Sequence, residues 1–275
     1  MSPLALYFVP FTVLSKSESE KLRCIISDDE IKRVERYIGE KQQQQSLLVR
    51  AGLRLLLSNY AKEHSIDDIA PQEWVFTKGE YGKPRLSDEL FKQTKIEFNI
   101  SHSGEWLLVG IIHHTQPISE IDPEFCFGVD IERERKNTNI HAILNRYFAQ
   151  SEIDDLLALP SEVLQRERFF DLWACKESYI KATGKGLSTP LDSFAFNFSQ
   201  TNTITTLPLL NSESLTLKSC LIKKHQQWSF NFGRLDSEYR YAISICNTSH
   251  NKRIFPFTNM KANFPVDFNL LHRHL

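Results

Sequence analysis

Gly128-Val129-Asp130-Ile131-Glu132 is the first of two stretches that decide the fold. Its alternation of apolar and acidic residues predicts a strand that carries Asp130 and Glu132 on one face. The second stretch, later in the chain, is Trp173-Ala174-Cys175-Lys176-Glu177-Ser178-Tyr179-Ile180-Lys181. It predicts a helix in which Glu177 and Lys181 lie one turn apart on the same side.

Together the two stretches hold three carboxylates and two lysines, which suit a hard divalent cation and a phosphate-rich ligand. This requires that the fold bring them together, which the local pattern does not establish. Asp130 and Glu132 could instead form the solvated face of an edge strand, and Glu177 with Lys181 could be an ordinary surface pair. The cation site is favoured because neighbouring acids repel each other unless a positive charge intervenes.

Composition limits the class of protein. The chain has 275 residues, 41% of them hydrophobic, so it can form one large domain or two small ones. Its formal net charge of −1 provides no basic field for nucleic acid. The five scattered cysteines contain no C-x-x-C pair, which argues against a zinc ribbon or a disulfide framework and favours a reducing compartment.

The N-terminus predicts a strand rather than a targeting segment. Residues 4–9 are apolar, but the run is short, has no basic region before it and ends at Pro10. No stretch of the chain is long enough to span a bilayer. We therefore expect a soluble, cytoplasmic protein with no membrane or nucleic-acid partner.

The order of the predicted elements suggests two similar halves, each with helices followed by strands. The boundaries that we expect are 1–124 for the N-terminal half, 125–248 for the C-terminal half and 249–275 for a tail. A capping box at Ser151 and Asp154 predicts a helix start, and Gly184 predicts the end of the motif helix. The main elements are a helix at 47–60, strands at 96–100, 106–112 and 125–131, helical sequence at 140–183, and strands at 194–198, 215–223, 228–232 and 239–246.

Four further residues are candidates for anion binding. Ser101 and His102 lie in a predicted polar turn after a strand, and His102 could either pack locally or donate to a phosphate. Lys83 lies in a turn-rich loop and could simply be solvated. Arg50, on the predicted helix, could bind an anion or extend along the surface. The chain has no Walker A loop, G-x-G-x-x-G, G-x-S-x-G or H-E-x-x-H.

The two motifs resemble those of the Sfp-type 4′-phosphopantetheinyl transferases, which carry a G-(V/I)-D-(I/V/L)-E strand and a W/F-x-x-K-E-(S/A)-x-x-K helix. The resemblance is strongest over residues 45–200. Three further stretches are similar and occur in the same order, at 81–84, 98–103 and 184–194. The family fold is α+β, a pseudo-twofold pair of similar subdomains with the active site in the cleft between them.

The resemblance implies an enzyme that transfers the 4′-phosphopantetheine arm of coenzyme A to a serine of an apo carrier protein, releasing adenosine 3′,5′-bisphosphate. Such carriers serve fatty-acid, polyketide and nonribosomal-peptide synthases, and the sequence does not choose among them. It implies Mg²⁺ as cofactor, coenzyme A as substrate and a monomer holding both halves. A non-catalytic module that binds carrier proteins, and another Mg²⁺-dependent coenzyme A or nucleotide transferase, are the alternatives.

The resemblance also implies residue roles. Asp130, Glu132 and Glu177 would hold Mg²⁺, and Glu177 or a water that it orients would take the proton from the carrier serine. Lys181, helped by Lys176, would contact the phosphates. The remaining coenzyme contacts would come from Arg50, Lys83, Ser101 and His102, with His102 at the 3′-phosphate; the role of Glu152 stays open. Some relatives have a basic cluster on the first helix, whereas here residues 28–33 begin with acids and only Arg33 could replace it.

Overall fold

The computed structural model of the protein describes residues 3–198, 216–219, 222–248 and 260–263. Helices and strands occur in separate groups along these ranges, and the architecture is α+β. The helices are α1 (Lys16–Arg23), α2 (Asp28–Glu35), α3 (Glu40–Glu63), α4 (Asp88–Thr94), α5 (Ile140–Tyr147), α6 (Gln150–Leu157) and α7 (Glu162–Thr183). The strands are β1 (Leu4–Pro10), β2 (Phe76–Lys78), β3 (Pro84–Leu86), β4 (Ile96–Ser103), β5 (Trp106–His113), β6 (Cys126–Arg133), β7 (Phe194–Asn197), β8 (Thr216–Ser219), β9 (Gln226–Arg234), β10 (Tyr239–Thr248) and β11 (Met260–Asn263).

The N-terminal half is a sheet of order β11-β1-β5-β4 with the long helix α3. Strand β5 pairs in antiparallel fashion with both β1 and β4. Strand β11, from the end of the described chain, pairs in parallel with the other edge of β1. Leucines along α3, among them Leu48, Leu55 and Leu56, join Val109 and Ile111 of β5 in one buried cluster. The predicted strand at 4–9 and helix at 47–60 are both confirmed.

The C-terminal half is an antiparallel sheet of order β6-β10-β9 with α7 across one face. Aromatic residues fill the space between them, including Phe169, Phe170, Tyr179 and Phe230. Gly184 follows α7 with φ of 72°, a left-handed conformation that suits glycine, and so ends the helix as predicted.

A third buried cluster joins the halves. It contains Leu6 and Phe8 of β1 together with Phe127, Val129 and Ile131 of β6. The apolar side of the Gly128–Glu132 strand therefore lies against the N-terminal sheet, and its acidic side faces α7. β5 ends at His113 and β6 begins at Cys126, so the expected boundary at 124/125 falls in the segment between the two sheets.

Three expectations need correction. Residues 101–103 belong to β4 rather than to a turn, because the strand continues to Ser103 and the side chains of Ser101 and Ser103 bind acids of β6. Helix α6 begins at Gln150, and Glu152, not Asp154, accepts a backbone hydrogen bond at its start, from Ala149. Part of the expected tail, 260–263, is strand β11. None of the helices in the described ranges has the length and apolar character needed to cross a membrane.

Candidate active site

Asp130 lies at the centre of the candidate site, on β6 and almost completely buried, at 1% exposure. Its Oδ1 accepts hydrogen bonds from Lys181 Nζ at 2.5 Å and from Ser101 Oγ at 2.8 Å. Its Oδ2 is buried and has no hydrogen-bond partner within the described residues. Burial raises the pKa of Asp130 although Lys181 and Ser101 favour the charged form.

Glu132 and Glu177 share the electrostatic field of Asp130. Burial and the Asp130 carboxylate raise the pKa of Glu132 to about 7, and the same two causes raise the pKa of Glu177 to about 7. Glu132 accepts a hydrogen bond from Ser103 Oγ at 3.0 Å. The structure thus brings together the three acids drawn from the strand and helix motifs, with Lys181 beside them.

Gly128 explains how α7 comes so close to β6. A Cβ at this position would lie 2.1 Å from the backbone oxygen of Ser178 and 2.4 Å from the backbone nitrogen of Ala182. Only glycine permits this approach of two backbones. The glycine of the strand motif is therefore the reason that Glu177 and Lys181 reach Asp130 and Glu132.

Alternate residues of β4 connect the two halves at the site. The edges of the two sheets meet at β4 and β6, where Asn99 Oδ1 accepts from Val129 N at 2.9 Å and Ser103 Oγ accepts from Arg133 N at 3.1 Å. Ser101 lies between them and binds Asp130. Sequence reasoning missed Asn99 and Ser103, although the alternation Asn99-x-Ser101-x-Ser103 was the signal for one polar strand face.

Ser101 lies in the acidic cluster, whereas the sequence predicted that it would contact the coenzyme. It is 5% exposed, donates to Asp130, and accepts from Lys181 Nζ at 2.7 Å. Its hydroxyl is committed to the acidic cluster, so it orients Asp130 and Lys181 rather than facing a ligand. His102, the next residue along the strand, points to the opposite side, as the pleat requires.

His102 and Arg50 line one cavity of about 580 Å³ between α3, the β2–β3 hairpin and β4. Lys78 and Arg33 line the same cavity, so four basic or potentially basic side chains converge there. The pKa of His102 is lowered by partial burial and by the charges of Lys181 and Arg50. His102 thus lines the cavity within the electrostatic reach of Lys181.

Arg50 is held by its own helix. Its Nη1 donates to the carbonyl oxygen of Ser46 at 2.8 Å and to Ser46 Oγ at 2.6 Å, which leaves other guanidinium N–H groups for a ligand. Burial lowers the pKa of Arg50, although Glu30 opposes this. Arg33, the possible replacement for a basic cluster on the first helix, also lines the cavity, from α2.

Comparisons with known proteins identify the family of this chain. Residues 126–246 match the 4′-phosphopantetheinyl transferase superfamily model, and residues 15–113 match the model of a 4′-phosphopantetheinyl transferase N-terminal region. The 4′-phosphopantetheinyl transferase Sfp of Bacillus subtilis strain 168 is 32% identical over 230 residues, 84% of this chain and 86% of that protein. The chain belongs to the 4′-phosphopantetheinyl transferase family.

One further relative and one solved structure are also similar to parts of the chain. The 4′-phosphopantetheinyl transferase ffp of Bacillus subtilis is 32% identical over 182 residues, 66% of this chain and 70% of that protein. A crystal structure of a holo-(acyl-carrier-protein) synthase from Bacillus anthracis, in complex with CoA (3′,5′-ADP), matches with a TM-score of 0.35 and 16% identity. That match covers 45% of this chain and 96% of the other.

Lys176, from the helix motif of the family, is not at the site. It is 0% exposed and its Nζ lies 2.8 Å from Glu152 Oε2. It also donates to the carbonyl oxygens of Leu191 and Phe194, both at 2.7 Å. The Lys176 ammonium is enclosed in the C-terminal core. This position does not support the expected contact between Lys176 and the phosphates of the coenzyme. Glu152, whose role the sequence left open, is its buried counter-ion.

Lys83 also has an internal position. Its Nζ donates to the carbonyl oxygens of Phe127 on β6 and Ala182 on α7, at 3.0 and 3.1 Å. Burial lowers the pKa of Lys83. It does not line the 580 Å³ cavity, whereas its neighbours Gly82 and Pro84 do. Lys83 thus fastens the hairpin of the N-terminal half to the strand and helix motifs, and its ammonium is directed away from the expected adenosine contact.

The acidic cluster fits a divalent cation in its chemistry, although no group of three or more His, Cys, Asp or Glu side chains in the described ranges is arranged to hold a metal ion. Asp130 Oδ1 is bound by Lys181 and Ser101 instead. Two observations support the fit. Asp130 Oδ2 is buried without a partner among the described residues. Burial, followed by the charge of Asp130, raises the pKa of both glutamates, so a cation at this place would favour their charged forms.

Proposed function

We propose that this chain transfers the 4′-phosphopantetheine arm of coenzyme A to a serine hydroxyl of an apo carrier protein. The serine oxygen forms a bond to the phosphorus that carries the pantetheine arm, the bridging P–O bond breaks, and adenosine 3′,5′-bisphosphate leaves. Membership of the 4′-phosphopantetheinyl transferase family supports the reaction class. The carrier itself is not specified by any feature of the chain.

The observation that carries the proposal is the meeting of the strand and helix motifs. The ion pair between Asp130 and Lys181, with Glu132 and Glu177 beside it, places acids and a lysine next to a cavity large enough for part of a nucleotide. Transfer of a phosphate-linked group needs this combination, because catalysis rests on positioning and on neutralising phosphate charge.

Arg50 and His102 bind the adenosine end of coenzyme A in this proposal, since both line the cavity. Lys181 contacts the pyrophosphate in this proposal, because it is 30% exposed and its ammonium binds Asp130 and Ser101, the neighbour of His102. Asp130, Glu132 and Glu177 would hold Mg²⁺, which when bound would neutralise charge on the pyrophosphate and on the leaving bisphosphate.

Glu177, or a water that it orients, accepts the proton of the attacking serine. Its pKa of about 7 is raised by burial and by Asp130, and a base works best when its pKa lies near the working pH. Asp130 is a poorer candidate because its Oδ1 is engaged by Lys181 and Ser101.

The test is to incubate the protein with Mg²⁺, coenzyme A and a panel of apo carrier proteins, and to weigh each carrier by mass spectrometry. At least one carrier should gain one phosphopantetheine group. Lys181→Met should lower kcat about 10²- to 10³-fold, because a charged contact to the transferring group is lost. Lys224→Met, which removes an exposed lysine, is the matched control and should behave as wild type.

The same panel separates the proposal from its rival. A carrier that binds tightly but is never modified would identify a non-catalytic binding module instead. Full activity of Lys181→Met would contradict the role of that lysine even if the reaction itself were observed.

A further inference from the structure

Cys126 and Cys246 are directly opposite each other in the antiparallel pair β6–β10. Both thiols are free; Cys126 is partly exposed and Cys246 is buried. Residues paired in this way have Cα atoms about 4.5 to 5.5 Å apart, and a disulfide needs about 4.4 to 6.8 Å. The Cα separation of such a pair therefore lies within the range that a cross-strand disulfide needs.

The surroundings of Cys126 favour its reaction. Lys83 lies close enough for its charge to lower the pKa of the Cys126 thiol, after the larger effect of the hydrogen bond from Cys246. Burial, Glu97 and Asp122 oppose this shift, but the net direction is downward. Thiolates rather than thiols attack disulfides, so Cys126 is the more reactive member of the pair.

Access to Cys126 is provided by a second cavity, of about 370 Å³, at the C-terminal end of α7. It is separate from the cavity lined by Arg50 and His102. Thr189 Oγ1 and Trp228 Nε1 line it and are buried without hydrogen-bond partners among the described residues. Lys185 adds a positive charge at its wall. These groups suit a small polar molecule that approaches the thiol.

We propose that Cys126 is a modification site, which reacts with small disulfides and then forms a disulfide with Cys246. The Cys126 thiolate attacks one sulfur of the small disulfide, forms a mixed disulfide and releases one thiolate. Cys246 loses its proton to water and attacks the Cys126 sulfur, which forms the protein disulfide and releases the second thiolate. Two protein thiols are oxidised and the small disulfide is reduced to two thiols.

The strand geometry makes this disulfide easy to reverse. Asn99 accepts from the backbone N–H of Val129, and Lys83 donates to the carbonyl of Phe127, so the odd-numbered residues of β6 turn these groups away from β10. Cys126 then belongs to the hydrogen-bonded pairs of the ladder, whose side chains are farther apart. Drawing the two sulfurs together strains the bond, and strained disulfides are the readily reduced ones.

The experiment uses the reduced full-length protein with oxidised glutathione as the small disulfide. Remaining thiols are blocked, and the peptides are mapped by mass spectrometry without reduction. We expect a peptide pair linked through Cys126 and Cys246, which reduced glutathione restores to free thiols. Cys24, which is exposed, controls for accessibility, and Cys175, which is buried, should stay unmodified.

Two variants make the result decisive. Cys246→Ser should trap a stable mixed disulfide of glutathione on Cys126, because the second step is removed. Cys126→Ser removes the attacking thiol and the linkage itself, so Cys246 should stay free of glutathione under the same conditions. A linkage of Cys126 to Cys220, which lies outside the described residues, would overturn the proposal. Modification of Cys24 alone, or no glutathione on Cys126 in Cys246→Ser, would also overturn it.

Discussion

At the scale of single residues, the candidate site depends on side chains that divide between two directions along β4. Ser101 turns towards Asp130 and Lys181, whereas His102 turns towards the cavity that Arg50 lines. One strand thus supplies both a hydroxyl that binds the acidic cluster and an imidazole that lines the cavity. The two roles can be separated by mutation because the side chains lie on opposite faces.

His102→Ala should raise the KM for coenzyme A about tenfold, because a hydrogen bond to a charged phosphate contributes about 1.5 kcal/mol. Its kcat should change little, since the acidic cluster is untouched. Steady-state kinetics with coenzyme A and with dephospho-coenzyme A provide the measurement. His141→Ala, on an exposed face of α5, is the control. An equal loss with dephospho-coenzyme A would show that His102 does not contact the 3′-phosphate.

At the scale of elements, the close contact between β6 and α7 positions the site. Its requirement is the absence of a side chain at Gly128, next to the backbone of Ser178 and Ala182. Two residues further along β6, the same contact brings Asp130 to Lys181. Any change that separates the two elements should therefore lower stability and activity together.

Gly128→Ala should destabilise the protein by at least about 3 kcal/mol, since its Cβ would overlap backbone atoms that cannot move aside. Urea unfolding measures the loss, and the activity of the folded fraction should fall as well. Gly79→Ala is the control, because its Cβ would meet only the Lys83 oxygen at an ordinary 3.6 Å. Wild-type stability of Gly128→Ala would mean that the two elements are not so closely packed.

Lys176 provides a second test at this scale, because it connects α7 to α6 through Glu152. Lys176→Met should cost about 3 to 5 kcal/mol, since it leaves Glu152 charged or protonated in the core without its partner. Glu152→Gln should cost a similar amount. The double variant should lose less than the sum of the two, which urea unfolding of all four proteins would show. A stable Lys176→Met with a raised KM for coenzyme A would restore the phosphate-binding role.

The sequence predicts local structure well and long-range partners poorly. Alternation placed Asp130 and Glu132 on one face, and helical spacing placed Glu177 with Lys181, because both patterns depend on nearby residues. Lys176 could not be placed in the same way. Its partner Glu152 lies in another helix, and only the packed core shows that the lysine has no access to solvent.

The prediction of a turn around Ser101 was wrong for a related reason. Serine and glycine favour turns in an isolated segment. Here the polar side chains serve a strand whose edge faces a second sheet, and they bind the backbone and acids of β6. This contact between β4 and β6 forms only when both halves have folded. The sequence of either half alone therefore does not predict it.

At the scale of the whole molecule, negative charge gathers where the two halves meet. β4 and β6 come from different sheets and lie against each other, and α7 packs on β6. Glu132 and Glu177 are partly buried there with pKa values of about 7. Folding without a cation therefore costs free energy whenever these groups are ionised, and stability must depend on pH and on added metal.

In metal-free protein, stability should fall as the pH rises from about 4.5 to about 7. Over this range the unfolded chain has already released the two protons, whereas the folded protein still holds them, so the folded state binds more protons. Each group contributes roughly 1 to 2 kcal/mol after allowance for its partial exposure. The measurement is urea unfolding in EDTA at pH 5, 6, 7 and 8.

Comparison with Glu132→Gln and Glu177→Gln isolates these two groups from other titrating residues. Each variant should lose part of the pH dependence and should be more stable than wild type at pH 8 without metal, because a neutral amide removes the repulsion from Asp130. Mg²⁺ at pH 8 should stabilise wild type more than either variant, since the amide is a poorer ligand for a hard cation. If Mg²⁺ stabilises all three proteins equally, or none, the carboxylates do not form a shared cation site.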